Sequence, residues 1–211
     1  LKEAKLLKGD QLSQPVTSSI VGIVAGINGK PFTAQVTGKP LVSTINTSLD
    51  LDAQVRYFDD DNIAVGSGPL PPVVGQTTSY RVYWRLSNSL NEVTDVRVST
   101  SLSAGVSWQG KQYVSVGDLT YDAKSRSAVW IIPRIPAGKT SEDVNLWFDI
   151  AVTPTAAQAN RIMLLTTETT LSAKDTKTTA PISAFTRGST SNLDDDPFGG
   201  GRGLVETIGA E

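Results

Sequence analysis

The sequence predicts an all-β chain: an antiparallel β-sandwich preceded by a smaller β segment. Three observations carry that expectation. Apolar side chains recur at every second position in several runs, the period of a sheet with one face in the core. The 211 residues include 18 glycines and 11 prolines, whose spacing leaves room only for short strands joined by turns. Runs with a helical period are scarce, the profile of an all-β architecture.

The chain is organised around residues 75–108. Tyr80, Val82, Trp84 and Leu86 fall on one face, and Ser79, Arg81, Tyr83, Arg85 and Ser87 on the other. Asn88-Ser89-Leu90-Asn91 is a polar turn, and Val96, Val98 and Leu102 mark a second alternating run. Ala104-Gly105 turns the chain again before Val106 and Trp108. The pair reads as a β-hairpin or an inter-sheet corner.

Residues 1–14 read as a connecting arm stopped at Gly9-Asp10. Residues 16–29 are apolar and β-branched and end in Asn28-Gly29, a turn signal. Phe32, Ala34 and Val36 alternate after it, so a hairpin is expected with its return strand over residues 33–36. Residues 41–57 follow as a strand with Leu49, Leu51, Ala53, Val55 and Tyr57 on one face. The acidic run from Asp59 to Asp61 and the Gly/Pro text of residues 66–72 then read as a stiff linker. This divides the chain into an N-terminal β segment with its linker (1–65), a sandwich (66–187) and a Gly/Asp-rich tail (188–211). In the sandwich, residues 113–121 are short and turn-rich. Ala128, Trp130 and Ile132 point inward, with Pro133 and Pro136 ending their strand. Val144, Leu146, Phe148, Ile150 and Val152 alternate up to Pro154. Two final strands over 162–171 and 175–184 are parted by Ser172-Ala173-Lys174. About seven short strands in about 110 residues is the immunoglobulin-like plan.

The tail has the composition of a disordered segment, ordered only if it packs on its own domain or is pinned by a neighbour. Residues 20–40 and 162–181 also look alike, each ending in a proline and followed by an Asp triplet and glycines. As a repeat, this makes residues 1–58 the last strands of a preceding unit in a tandem array.

Composition excludes much chemistry. There is no cysteine, hence no disulfide, thiolate metal site or cysteine nucleophile. There is no histidine, hence no Ser-His-Asp triad, HExxH site or imidazole base. Net charge is −2 with scattered lysines and arginines, which disfavours nucleic acid and anionic membrane as partners. No apolar run approaches the roughly 20 residues of a spanning helix. The chain starts at Leu1 without a signal peptide, as expected of a mature or excised product.

The remaining candidates are few. Asp59, Asp60, Asp61 and Asn62 could ligate calcium at a junction, as could residues 194–196, although the EF-hand spacing is missing; no other cofactor is expected. Glu142, Asp143 and Asp149 could supply a carboxylate pair for glycoside hydrolysis, but nothing in the sequence groups them with a sugar cleft. Trp84, Trp108 and Trp130 are expected in the core, while Tyr83, Val129, Ile131 and Trp147 face outward as a contact surface. Asn46-Thr47-Ser48 fits the glycosylation sequon. A Lys-Asn isopeptide crosslink would need a buried lysine.

An ordered set of short motifs carries a resemblance. It comprises Val74-Gly75-Gln76-Thr77-Thr78-Ser79-Tyr80, Leu86-Ser87-Asn88-Ser89, Val93-Thr94-Asp95-Val96, Ala104-Gly105-Val106-Ser107-Trp108, Ala128-Val129-Trp130 and Ile135-Pro136-Ala137-Gly138. Across about residues 40–187 the chain resembles the conserved surface-repeat domain of unknown function found in tandem in bacterial and archaeal envelope proteins. It is also similar to the arrays in large surface proteins of candidate-phylum bacteria. Ser101-Leu102-Ser103 departs from the family's Asp-x-Leu-Pro corner, which loosens that corner. The resemblance implies a prokaryotic, extracellular cell-surface module with structural or adhesive duty and no catalytic residues.

The expected function is therefore a non-catalytic building block of a filament, an S-layer-like lattice or a stalk, with other copies of itself or neighbouring surface proteins as partners. A monomeric adhesin or carbohydrate-binding module is the alternative. A lone hairpin cannot bury its apolar face, so Ile20, Ile23, Val24 and Phe32 are expected to contact a neighbour. Leu204, Val205 and Ile208 are the expected donated strand, with the preceding glycines as a flexible reach.

Overall fold

The computed structural model describes residues 15–207. Val16–Ser18 (β1), Val21–Ile27 (β2), Lys30–Thr37 (β3) and Leu41–Ser43 (β4) form a two-stranded ribbon. In it β2 pairs antiparallel with β3, and β1 with β4. Asn28 and Gly29 at its tip have φ of 50° and 77°, the type I′ geometry that favours Asn-Gly. The expected continuous strand over 41–57 is broken at residues 44–48, where the chain passes from the ribbon into the sandwich.

The sandwich comprises Leu49–Arg56 (β5), Thr78–Asn88 (β6), Val93–Ser101 (β7), Val106–Val114 (β8), Asp118–Asp122 (β9), Ser127–Ile135 (β10), Lys139–Val152 (β11), Thr169–Asp175 (β12) and Pro181–Thr186 (β13). One sheet runs β5-β6-β11-β8 and the other β13-β12-β7-β10-β9. β6 and β7 lie in opposite sheets, so residues 88–91 form an inter-sheet corner rather than a hairpin turn. All pairings within the two sheets are antiparallel. The chain is all-β, and the sandwich is immunoglobulin-like.

The alternation places the core as expected. Tyr80, Val82, Trp84 and Leu86 of β6 are buried, as are Leu146, Phe148 and Ile150 of β11 and Trp130 of β10. Trp84 meets Phe148 edge-on, with ring centroids 5.3 Å apart. Trp108 stacks on Phe148 at 4.7 Å and on Tyr121 at 4.8 Å. The Trp130 indole N–H donates to the Val116 carbonyl at 2.8 Å, the partner a buried indole requires.

Several boundaries differ from the sequence reading. β10 continues through Pro133 to Ile135. The ladder passes from the Ile132–Val96 pair to Arg134–Thr94, because proline has no N–H to contribute. Ser172, Ala173 and Lys174 lie inside β12 rather than in a turn, since Ala173 continues the buried face begun by Thr169 and Leu171; the turn falls after Asp175. Residues 162–168 make only single bridges, including Leu102 to Thr166 and Ile162 to Leu204. β5, which the sequence reading puts in the N-terminal segment, is the edge strand beside β6 and pairs along its whole length. Residues 57–67 fold back on that edge, with the Val65 and Gly66 N–H groups donating to the Tyr57 carbonyl at 2.9 Å.

These connections give the sandwich two unlike poles. At the near pole lie the start of β5, the β6–β7 corner and the β10–β11 and β12–β13 turns. At the far pole lie residues 57–74, 154–168 and 188–207.

Candidate functional site

The ribbon of residues 16–43, hereafter the arm, leaves the sandwich at the near pole. Among the described residues neither β2 nor β3 has another strand beside it, so both ladder edges are open. Ile20 is 80% exposed and Ile23 is 73% exposed, outside any core. The register puts Val21 and Ile23 on one face and Val24, Ala34 and Val36 on the other. Val24 is half-buried. Phe32 lies within β3.

The arm's root is fixed firmly. Thr47 is buried, and its N–H donates to Asp175 Oδ2 at 2.8 Å. Its hydroxyl donates to Asn88 Oδ1 at 2.8 Å. Asn91 Nδ2 donates to the Ile45 carbonyl at 2.8 Å and to Asp175 Oδ2 at 2.9 Å. Asp175 Oδ1 accepts from the Lys177 and Thr178 N–H groups. Burial alone would raise the Asp175 pKa, but these donors outweigh it and hold the carboxyl at about 2. The sequence signal for this knot is only the polar turn at 88–91; its carboxylate lies 128 residues from Thr47.

The far pole is closed by the tail, which packs on its own chain. Asp196 is buried and accepts four backbone hydrogen bonds. Tyr57 and Phe58 donate to Oδ2 at 2.7 and 2.8 Å, and Phe198 and Gly199 to Oδ1 at 2.9 and 2.7 Å. Burial pushes its pKa up, yet the four donors prevail and hold it below the ordinary carboxylate range. A Cβ on Gly199 would come within 2.7 Å of Asp196 Oδ2, so this glycine permits close packing rather than flexible reach. Val205, expected in a donated strand, is fully buried in its own chain's core, and its N–H donates to the Arg161 carbonyl at 3.1 Å. It is not available to a neighbour. Ile208 lies outside the described residues. Leu204, however, is 55% exposed. It stands beside Ile162, which with Leu164 is also about half exposed. Ile162, Met163, Leu164 and Leu102 line a cavity of about 510 Å³ there.

The acidic candidates are engaged separately. Asp59 Oδ1 accepts from the N–H groups of Asp61 and Ile63 at 3.0 and 2.8 Å. Asp60 pairs with Arg56, and Asp61 is exposed. Among the described residues no three His, Cys, Asp or Glu side chains converge as a metal site. The carboxylates weighed for hydrolysis are also apart in role. Asp149 receives two hydrogen bonds from Arg81 at 2.8 and 3.1 Å, whereas Asp143 accepts from Thr140 in its own turn. No lysine among the described residues is buried, as an isopeptide crosslink would need. No helix of the described residues is long and apolar enough to cross a membrane.

Comparison with known proteins finds likenesses to many solved structures, two major pilins among them. One is the major pilin subunit BcpA of Bacillus cereus: 10% identity, TM-score 0.44, covering 76% of this chain and 50% of that one. The other is the full-length major pilin SpaD of Corynebacterium diphtheriae: 8% identity, TM-score 0.38, covering 71% of this chain and 35% of that one. The chain thus spans half or less of each. Superpositions this partial leave the architecture resting on its own strand order and register. No family model and no curated protein matches the chain.

Proposed function

We propose that this chain is a non-catalytic structural building block of a cell-surface assembly, joined head to tail through its arm. One observation carries the reading: a β-ribbon with apolar residues on both faces projects from one pole without a core of its own. A two-stranded ribbon is marginal in water, and its open edges offer main-chain hydrogen bonds to another chain. The far pole presents the complementary apolar surface at Ile162, Leu164 and Leu204. The arm of one copy docking at the far pole of the next is a heterologous contact. Repeated, it yields an open filament unless the rotation closes a ring.

The test removes each partner in turn. Deleting residues 16–43 is expected to leave the melting temperature of the sandwich unchanged and to abolish polymers in sedimentation and negative-stain microscopy. Ile162→Glu combined with Leu164→Glu is expected to do the same from the other side. A parent that stays monomeric, or variants that both assemble like the parent, would overturn the reading.

A further inference from the structure

The flank of the sandwich carries a feature that assembly through the poles does not use. On the outer face of the β5-β6-β11-β8 sheet, Gln54, Tyr83, Trp147 and Tyr113 stand directly opposite one another in successive strands. Three of the four are aromatic, and they form a row across the sheet. The Tyr113 and Trp147 rings are inclined by only 22°, with centroids 6.5 Å apart. The Arg81 guanidinium lies 3.7 Å over the Trp147 ring and is itself locked by Asp149. Arg85 stands 5.3 Å over Tyr83. Trp147 and Tyr83 are therefore held in place before any ligand arrives, while Tyr113 is half exposed at the end of the row. With Asp60, Arg85, Glu142 and Asn145 they line a shallow cavity of about 590 Å³.

We infer that this cavity binds a neutral glycan. A pyranose presents apolar C–H faces and a rim of hydroxyls. Rigid aromatic rings match the faces, while the carboxylates, amide and guanidinium supply acceptors and donors for the rim. Charge separates this ligand class from others. An anion would meet the Glu142 carboxylate, and a cation would meet the Arg85 guanidinium. A purely apolar ligand would strip water from these polar groups without replacing their hydrogen bonds. Because the cavity lies between the poles, head-to-tail joining would leave it open on every copy.

The experiment is a titration of the parent protein with chitohexaose, cellohexaose and maltohexaose. It is followed by tryptophan fluorescence and calorimetry, with Tyr113→Ala and Trp147→Phe in parallel. At least one sugar is expected to saturate and to shift the tryptophan emission. Tyr113→Ala is expected to bind it about tenfold more weakly, as for loss of one aromatic contact, with melting temperature and polymer formation unchanged. Three outcomes would each overturn the inference: no sugar perturbs the parent, both variants bind like the parent, or Tyr113→Ala loses polymer formation. The last would make this face a contact between copies.

Discussion

Two aspartates hold the ends of the sandwich, and both lend themselves to direct tests. Asp196 satisfies four backbone N–H groups, two in its own turn and two from Tyr57 and Phe58, which lie 139 and 138 residues away in the chain. An asparagine there offers an N–H₂ where two donors now point, so Asp196→Asn is expected to cost about 3 kcal/mol in urea denaturation. Asp175 gives a pH dependence whose sign follows from its lowered pKa. Its stabilisation is fully present well above the ordinary carboxylate value of 3.8 and is lost as pH falls through the folded value of about 2, from about pH 5 to about pH 1. Over that window the parent should lose about 2–3 kcal/mol at this site, and Asp175→Asn should flatten this part of the stability profile. Neither role was legible in the sequence. In the sequence Asp196 reads as a possible calcium ligand beside flexible glycines, because its partners, Tyr57 and Phe58, are brought to it only by the closed fold. The buried faces were legible: Tyr80, Val82, Trp84 and Leu86 follow a period that the pleat imposes regardless of tertiary context.

The arm follows from the same period together with Asn28-Gly29, whose positive φ pair the structure shows. A ribbon of two strands without a core should open locally at little cost. Amide hydrogen exchange is therefore expected to be fast in β2 and β3 of the monomer and slow in the polymer, while β6 and β11 stay protected in both. Equal protection of the arm in both states would remove it from the interface. Where the sequence misplaced an element, a local signal was outweighed by tertiary pairing. Pro133 and the Ser172–Lys174 stretch look like breakers. Yet β10 tolerates a missing donor inside its ladder, and β12 keeps Leu171 and Ala173 buried, both in register with β13 and Leu171 also with β7.

Considered as one body, the molecule joins pieces that the sequence set apart. β5 belongs by pairing to the sandwich although an acidic, proline-rich stretch separates it from β6. That stretch folds back on the sheet edge instead of extending. Since Asp59 and Asp60 are engaged by local N–H groups and by Arg56, removal of calcium with EDTA is expected to leave the melting temperature within about 1 °C. A larger fall would assign these carboxylates a metal. The entry of the chain through β5 has a mechanical consequence. Tension on the arm reaches the sandwich at Thr47 and is passed along β5, antiparallel to β6 over the full Leu49–Arg56 register. A pull directed from one pole to the other loads those rungs in parallel, as shear, so they must yield together. A pull across the sheet would unzip them one by one. A filament joined through its poles would thus place each copy in its stronger orientation.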